Sequence, residues 1–120
     1  MGAILTKTMT YAETCDPDEV LMAQKANRDN HFYADVQIFG EYPKHVLHYF
    51  EENGFKIDRT EEDLQLLKDY TVDFLSFSYY MSMVVSKNAA QRKKVGGNLM
   101  TGVKNPYLNT SELGWQVDPV

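Results

Sequence analysis

With 120 residues, 43% of them hydrophobic and 24% charged, the chain fits one domain and has apolar material for a core. The formal net charge of −5 argues against nucleic acid as a partner, because phosphate binding needs a basic face. The lone Cys15 excludes an internal disulfide and a multi-cysteine metal cluster, and no apolar run reaches the roughly 18 residues of a membrane span.

The opening Met1-Gly2-Ala3-Ile4-Leu5 lacks the basic start and long apolar core of a signal peptide, so with Cys15 a soluble cytoplasmic protein is expected. Ala3 to Tyr11 reads as a strand with Leu5, Met9 and Tyr11 on one side and Ile4, Thr6, Thr8 and Thr10 on the other. Lys7 interrupts the first face; a lysine in a fully buried strand is costly unless paired, which predicts an edge or incomplete strand. Asp16-Pro17-Asp18-Glu19 combines a cap residue, a first-turn proline and acidic groups favoured by the helix dipole. That helix is expected to reach about Tyr33, with Ala34 to Tyr42 irregular or extended. Pro43 opens a second helix through Asn53, stopped by Gly54 and burying Val46, Leu47 and Phe50. Thr60-Glu61-Glu62-Asp63 predicts a capped third helix to about Asp69, burying Leu64 and Leu67.

The run from Val72 to Ser82 is rich in aromatics and nearly continuously apolar, then turns polar at Ser78, Tyr79, Tyr80 and Ser82. A strand apolar on both faces belongs in a sheet covered on both sides, usually a parallel one. Ligands bind at the carboxyl ends of such strands, where these polar residues collect. Tyrosine hydroxyls there can donate to a carboxylate or a sugar; the same spacing also suits a core strand with aromatic filling. Lys87 to Val103 shows no periodicity and reads as a long loop, followed by turns at Asn105-Pro106-Tyr107 and Gly114-Trp115. The order strand, helices, strand, loop is a βαβ unit with decorations, which leaves both sheet edges open.

Candidate chemistry is sparse. His45 and His48 share a helix face, but no third ligand is suitably spaced for a metal. The glycines of Gly97-Asn98-Leu99-Met100-Thr101-Gly102 are not followed by the Lys-Ser/Thr pair of a phosphate loop. Arg92-Lys93-Lys94 lacks interleaved aromatics and reads as a solvated loop. The pairs Glu51-Glu52 and Glu61-Glu62 are neighbours on helices and point apart, unlike a hydrolytic pair. Trp115 offers a flat apolar face with an N–H handle, and composition leaves open whether it stacks on a sugar or anchors a loop.

Several stretches together carry a resemblance. They are Asn27-Arg28-Asp29-Asn30, Asp35-Val36-Gln37, Gly40-Glu41-Tyr42-Pro43, the run from Val72 to Ser82, and Gly96-Gly97-Asn98-Leu99. Val103-Lys104-Asn105-Pro106-Tyr107-Leu108 and Ser111-Glu112-Leu113-Gly114-Trp115-Gln116-Val117-Asp118-Pro119 complete the set. In this order they resemble glycoside hydrolase family 1, and within it the bacterial 6-phospho-β-glucosidases. The resemblance implies an α/β fold: part of a (β/α)8 TIM barrel, about the fifth and sixth strands with intervening helices and a long following loop. A whole barrel of this kind needs about 250 residues, so residues 1–120 are expected to be an internal fragment of one glycosidase barrel domain.

The family's acid/base glutamate lies in a Thr-(Phe/Leu)-Asn-Glu motif and its nucleophile in a Glu-Asn-Gly motif after a strand. The first motif does not occur, and Glu52-Asn53-Gly54 spells the second at a helix end, so no catalytic residue is assigned within the chain. By resemblance, Tyr80 matches the tyrosine that supports the nucleophile, Ser78 stands where many relatives have asparagine near the sugar, and Trp115 matches an aglycone wall. Leu113, Phe39 and Ala12 depart from an expected tryptophan, arginine and proline. The implied chemistry is retaining hydrolysis of a phosphorylated β-glucoside with no metal or organic cofactor, and the segment alone is expected to be inactive. Two other classes compete: a non-catalytic binding or assembly module that forms a homo-oligomer through its open sheet edges, and a nucleotide-binding βαβ protein. The latter needs a glycine-rich turn that Ala12-Glu13-Thr14-Cys15-Asp16 lacks.

Overall fold

The computed structural model describes residues 1–96 and 101–119. The elements are β1 (Gly2–Ala12), α1 (Pro17–Phe39), α2 (Lys44–Glu52), α3 (Glu61–Asp69), β2 (Phe74–Val85), β3 (Lys94–Gly96) and β4 (Thr101–Val103), with a 3-10 turn at Ala89–Gln91. The sheet runs in the order β1-β2-β4-β3. The chain divides into two compact units, Met1–Thr6 with His31–Ser78, and Lys7–Asn30 with Tyr79–Val120.

In the first unit the Asp73 N–H donates to the Met1 carbonyl at 2.8 Å, and the Ser76 hydroxyl to the Ala3 carbonyl at 3.3 Å. Residue numbers rise together along β1 and β2, so the two strands are parallel, as a pair joined through helices requires. Ala3, Ala34 and Val46 are buried here. The first helix does not stop near Tyr33: it continues through the segment expected to be irregular and ends at Phe39. Gly40 then adopts φ +66°, and its N–H donates to the Val36 carbonyl at 2.9 Å, a left-handed cap that terminates the helix. The freed Gln37 carbonyl accepts from the Val72 N–H at 3.0 Å. Thr60 and Asp63 form the expected reciprocal capping box at α3. Leu64 and Leu67, expected to be buried, are only half-buried, as are Leu47 and Phe50 on α2.

The apolar start of β2 is not covered on both faces. Phe74 is 63% and Phe77 66% exposed, with Ile4 of β1 at 77%. The covered part lies further on, in the second unit, where Met81, Met83, Val84 and Val103 are buried with Ala23 of α1. There the Glu13 N–H donates to the Val85 carbonyl at 3.0 Å. The region from Lys87 to Val103, expected to be a loop throughout, contains the 3-10 turn and the antiparallel pair β3–β4, with Lys94 opposite Val103 and Gly96 opposite Thr101. Val84 of β2 is also opposite Val103, so β4 joins the sheet antiparallel to β2. Residues 97–100, which hold most of the glycine-bearing stretch weighed as a phosphate loop, lie outside the described residues.

Candidate functional site

The polar end of β2 and the segment after β4 form the chemically most distinctive corner of the second unit. Met81 and Met83 are buried and Trp115 packs against them. Tyr80, 57% exposed, meets Trp115 edge-on, with ring centroids 5.7 Å apart and planes at 72°. An exposed phenol beside a half-buried indole gives an apolar wall with polar tips. Ser78, also half-buried, closes the first unit's share of β2.

Trp115 is held by a small antiparallel hairpin. The Ser111 N–H donates to the Trp115 carbonyl at 2.7 Å, and the Val117 N–H to the Asn109 carbonyl at 2.9 Å. Thr110 bridges to Gln116, and Gly114 supplies the turn at φ +83°. The Trp115 N–H donates to the Ser111 hydroxyl at 3.2 Å. Gln116, 1% exposed, accepts from the Asn105 N–H and donates to the Asn105 carbonyl, both at 2.9 Å. Its buried amide is thereby satisfied, and the hairpin is clamped to the chain leaving β4.

A polar cluster adjoins the hairpin. The Tyr11 hydroxyl, at the end of β1, donates to the Asp118 carboxylate at 3.0 Å. Burial, then the hydrogen bond to Asp118, raises the Tyr11 pKa above the ordinary phenol value. Burial and the nearby Asp118 charge also raise that of Tyr79. The buried hydroxyls of Tyr79 and Ser82 have no well-formed hydrogen-bond partner.

A second cluster fastens the β1–α1 turn. Glu19, 3% exposed, accepts from the Thr14 N–H at 3.0 Å, the Thr14 hydroxyl at 2.6 Å and the Lys87 N–H at 2.9 Å. The Lys87 ammonium bridges Asp16 at 3.0 Å and Asp18 at 2.6 Å, and Arg92 pairs with Glu13 at 2.7 Å. Neither cluster has a local sequence signature. Tyr11 and Asp118 are 107 positions apart and Glu19 and Lys87 are 68 apart; the parallel β1 and β2 bring the latter pair together, and the hairpin beyond β4 carries Asp118 to Tyr11.

The other residues weighed from sequence fall elsewhere. His48 pairs with Glu52 at 3.2 Å on the exposed face of α2, while the buried His45 Nε2 has no hydrogen-bond partner. Glu52-Asn53-Gly54 ends α2, with Gly54 at φ +67°, so these three residues form a helix stop and not the end of a strand. Among the described residues, no group of three or more His, Cys, Asp or Glu side chains is placed to hold a metal ion, and no helix is long and apolar enough to cross a membrane.

A family model described as glycosyl hydrolase family 1 matches residues 1–120. The aryl-phospho-β-D-glucosidase BglH of Bacillus subtilis (strain 168) is 46% identical over 119 residues, covering 99% of this chain and 25% of its own length. The 6-phospho-β-glucosidase of Dickeya chrysanthemi is 44% identical and the phospho-cellobiase of Klebsiella oxytoca 42%, each covering 100% of this chain and 26% of the relative. The chain thus spans about a quarter of the length of these relatives. Among solved structures, a β-glucosidase from Thermotoga maritima in complex with glucoimidazole superposes with a TM-score of 0.68 at 15% identity, over 98% of this chain and 25% of that one. A β-glucosidase from Exiguobacterium marinum gives a TM-score of 0.65 at 22% identity, over 95% and 25%. The chain belongs to glycosyl hydrolase family 1, and its fold is a part of that family's (β/α)8 barrel.

Proposed function

We propose that this chain is a segment of a cytoplasmic, retaining 6-phospho-β-glucosidase, and that both units belong to one barrel domain of that enzyme. The intact enzyme hydrolyses a 6-phospho-β-glucoside to glucose 6-phosphate and an alcohol or sugar. One glutamate attacks the anomeric carbon and forms a glycosyl ester, while the other protonates the departing oxygen and then activates water. Both glutamates lie outside this chain. Its own contribution is a wall of the site: the Tyr80 hydroxyl steadies the nucleophile's charge, Trp115 lines the aglycone side and Ser78 faces the sugar. The observation that carries this reading is the Tyr80–Trp115 contact at the polar end of β2, in a chain whose relatives are named phospho-β-glucosidases.

The purified chain, incubated with a chromogenic 6-phospho-β-glucoside, should give no turnover above the uncatalysed rate. Turnover that disappears in a Tyr80→Phe variant would place the catalytic machinery inside these residues and overturn the reading.

The exposed Ile4, Phe74 and Phe77 favour a second reading, a homo-oligomeric assembly module derived from the barrel. It requires a cooperatively folding species of defined stoichiometry, and sedimentation showing only a non-cooperative monomer would count against it.

A further inference from the structure

We propose that Asp118 is a positioning residue: through Tyr11 it latches the Trp115 hairpin to the end of β1 and so sets where the Trp115 ring stands. The hairpin's backbone and amide hydrogen bonds described above are internal or run to its own flanking chain, from Ser111 to Trp115, from Asn109 to Val117 and from Gln116 to Asn105, while the Trp115 ring packs on Met81, Met83 and Tyr80 of β2. They fix the shape of the hairpin but leave its attachment to β1 to other contacts. The Tyr11–Asp118 bond reaches across 107 positions, is part-buried, and lies three residues from Trp115. A hydrogen bond with an ionised acceptor is stronger than a neutral one, and burial shields it from competing water. The charge of the Asp118 carboxylate also acts on the buried Tyr79 hydroxyl, immediately before Tyr80 in sequence. Asp118 therefore sits among the groups that hold Trp115 and the group that precedes Tyr80. Its consequence for the aglycone wall rests on the function proposed above; the latch itself does not.

Trp115 is the sole tryptophan, so its fluorescence reports the hairpin directly in the 120-residue protein, without substrate and without turnover. Tyr11→Phe and Asp118→Ala should each red-shift the emission and increase acrylamide quenching. Loss of one hydrogen bond corresponds to roughly a fivefold change in the ratio of docked to released hairpin. The double variant should do no more than either single one, because both remove the same bond. Asp118→Asn, whose amide oxygen still accepts from Tyr11 but carries no charge, should fall between the parent and Asp118→Ala. Should Asp118→Ala fail to fold, Tyr11→Phe carries the test, since it deletes a single oxygen. Unchanged emission and quenching in Tyr11→Phe, or equal and additive effects of the two substitutions, would overturn the latch. Because no step involves hydrolysis, failure here leaves the proposed activity standing, and an inactive parent enzyme would leave the latch standing.

Discussion

Tyr11 and Tyr79 show how context sets the value of one oxygen. The Tyr11 hydroxyl is engaged by Asp118, whereas the Tyr79 hydroxyl is buried without a well-formed partner. Tyr11→Phe should therefore cost about 1 kcal/mol in urea unfolding, and Tyr79→Phe should be neutral or stabilising, since removing an unsatisfied buried hydroxyl relieves a desolvation penalty. Glycines divide in the same way. A Cβ at Gly40 would meet the Leu67 carbonyl oxygen at 2.6 Å and the Lys68 Cα at 2.8 Å, both backbone, while one at Gly54 meets nothing within 4 Å. Both have positive φ. Gly54→Ala should cost about 1 kcal/mol for the left-handed backbone alone, and Gly40→Ala should lower the thermal midpoint substantially more.

Glu19 makes the acid response readable at the same scale. The Thr14 hydroxyl, then the Lys87 N–H, hold its pKa below the ordinary glutamate range despite opposing burial. The unfolded chain therefore binds more protons in acid than the folded one. The stability this carboxylate contributes is complete above the unfolded glutamate pKa and is lost as pH falls through the folded value. Urea midpoints measured across the acid range should show the gap between the parent and Glu19→Gln narrowing as pH falls. A gap independent of pH would contradict the assignment.

At the scale of elements, α1 serves β1 as well as covering it. The Asn30 side-chain oxygen accepts from the Thr8 N–H at 3.1 Å, and Asn27 accepts from the Thr10 N–H at 3.0 Å while donating to the Thr10 carbonyl at 2.7 Å. Edge strands invite pairing with other chains, and these amides occupy the backbone groups that would do it. Asn27→Ala should cost about 1–3 kcal/mol, because it leaves two backbone groups unpaired, and should speed amide exchange at Thr10. Capping chemistry made α2 and α3 legible in the sequence, since Pro43, Gly54 and the Thr60–Asp63 box act locally. The true end of α1 was not legible: Ala34 to Phe39 has no clear apolar stripe, and the Gly40 stop depends on backbone contacts with Leu67 and Lys68. The strands β3 and β4 are only three residues each, so pairing defines them and periodicity does not.

At the scale of the whole molecule, the aromatic run that first marks the sequence as part of a parallel sheet begins with its rings largely uncovered. Phe74 and Phe77 follow the pattern of a strand buried on both faces, yet both are mostly exposed. The sequence therefore records a covering that these residues alone do not supply. This is why the family could be read from motifs while burial could not. The same reasoning explains the site: Tyr80 and Trp115 were legible as residue types suited to a sugar, but their contact and the Tyr11–Asp118 tie arise from long-range pairing. Exposed aromatic surface of this kind should bind a hydrophobic dye such as anilinonaphthalene sulfonate at neutral pH, and Phe74→Ser with Phe77→Ser should weaken that signal without loss of helical circular dichroism.

The most direct measurement is hydrolysis by a hybrid in which these 120 residues replace the matching quarter of BglH. The hybrid should turn over a 6-phospho-β-glucoside, with kcat falling at least about tenfold on Tyr80→Phe as an interaction made in the transition state is lost. A folded hybrid that binds the substrate but does not turn it over, or one whose kcat ignores Tyr80→Phe, would contradict it.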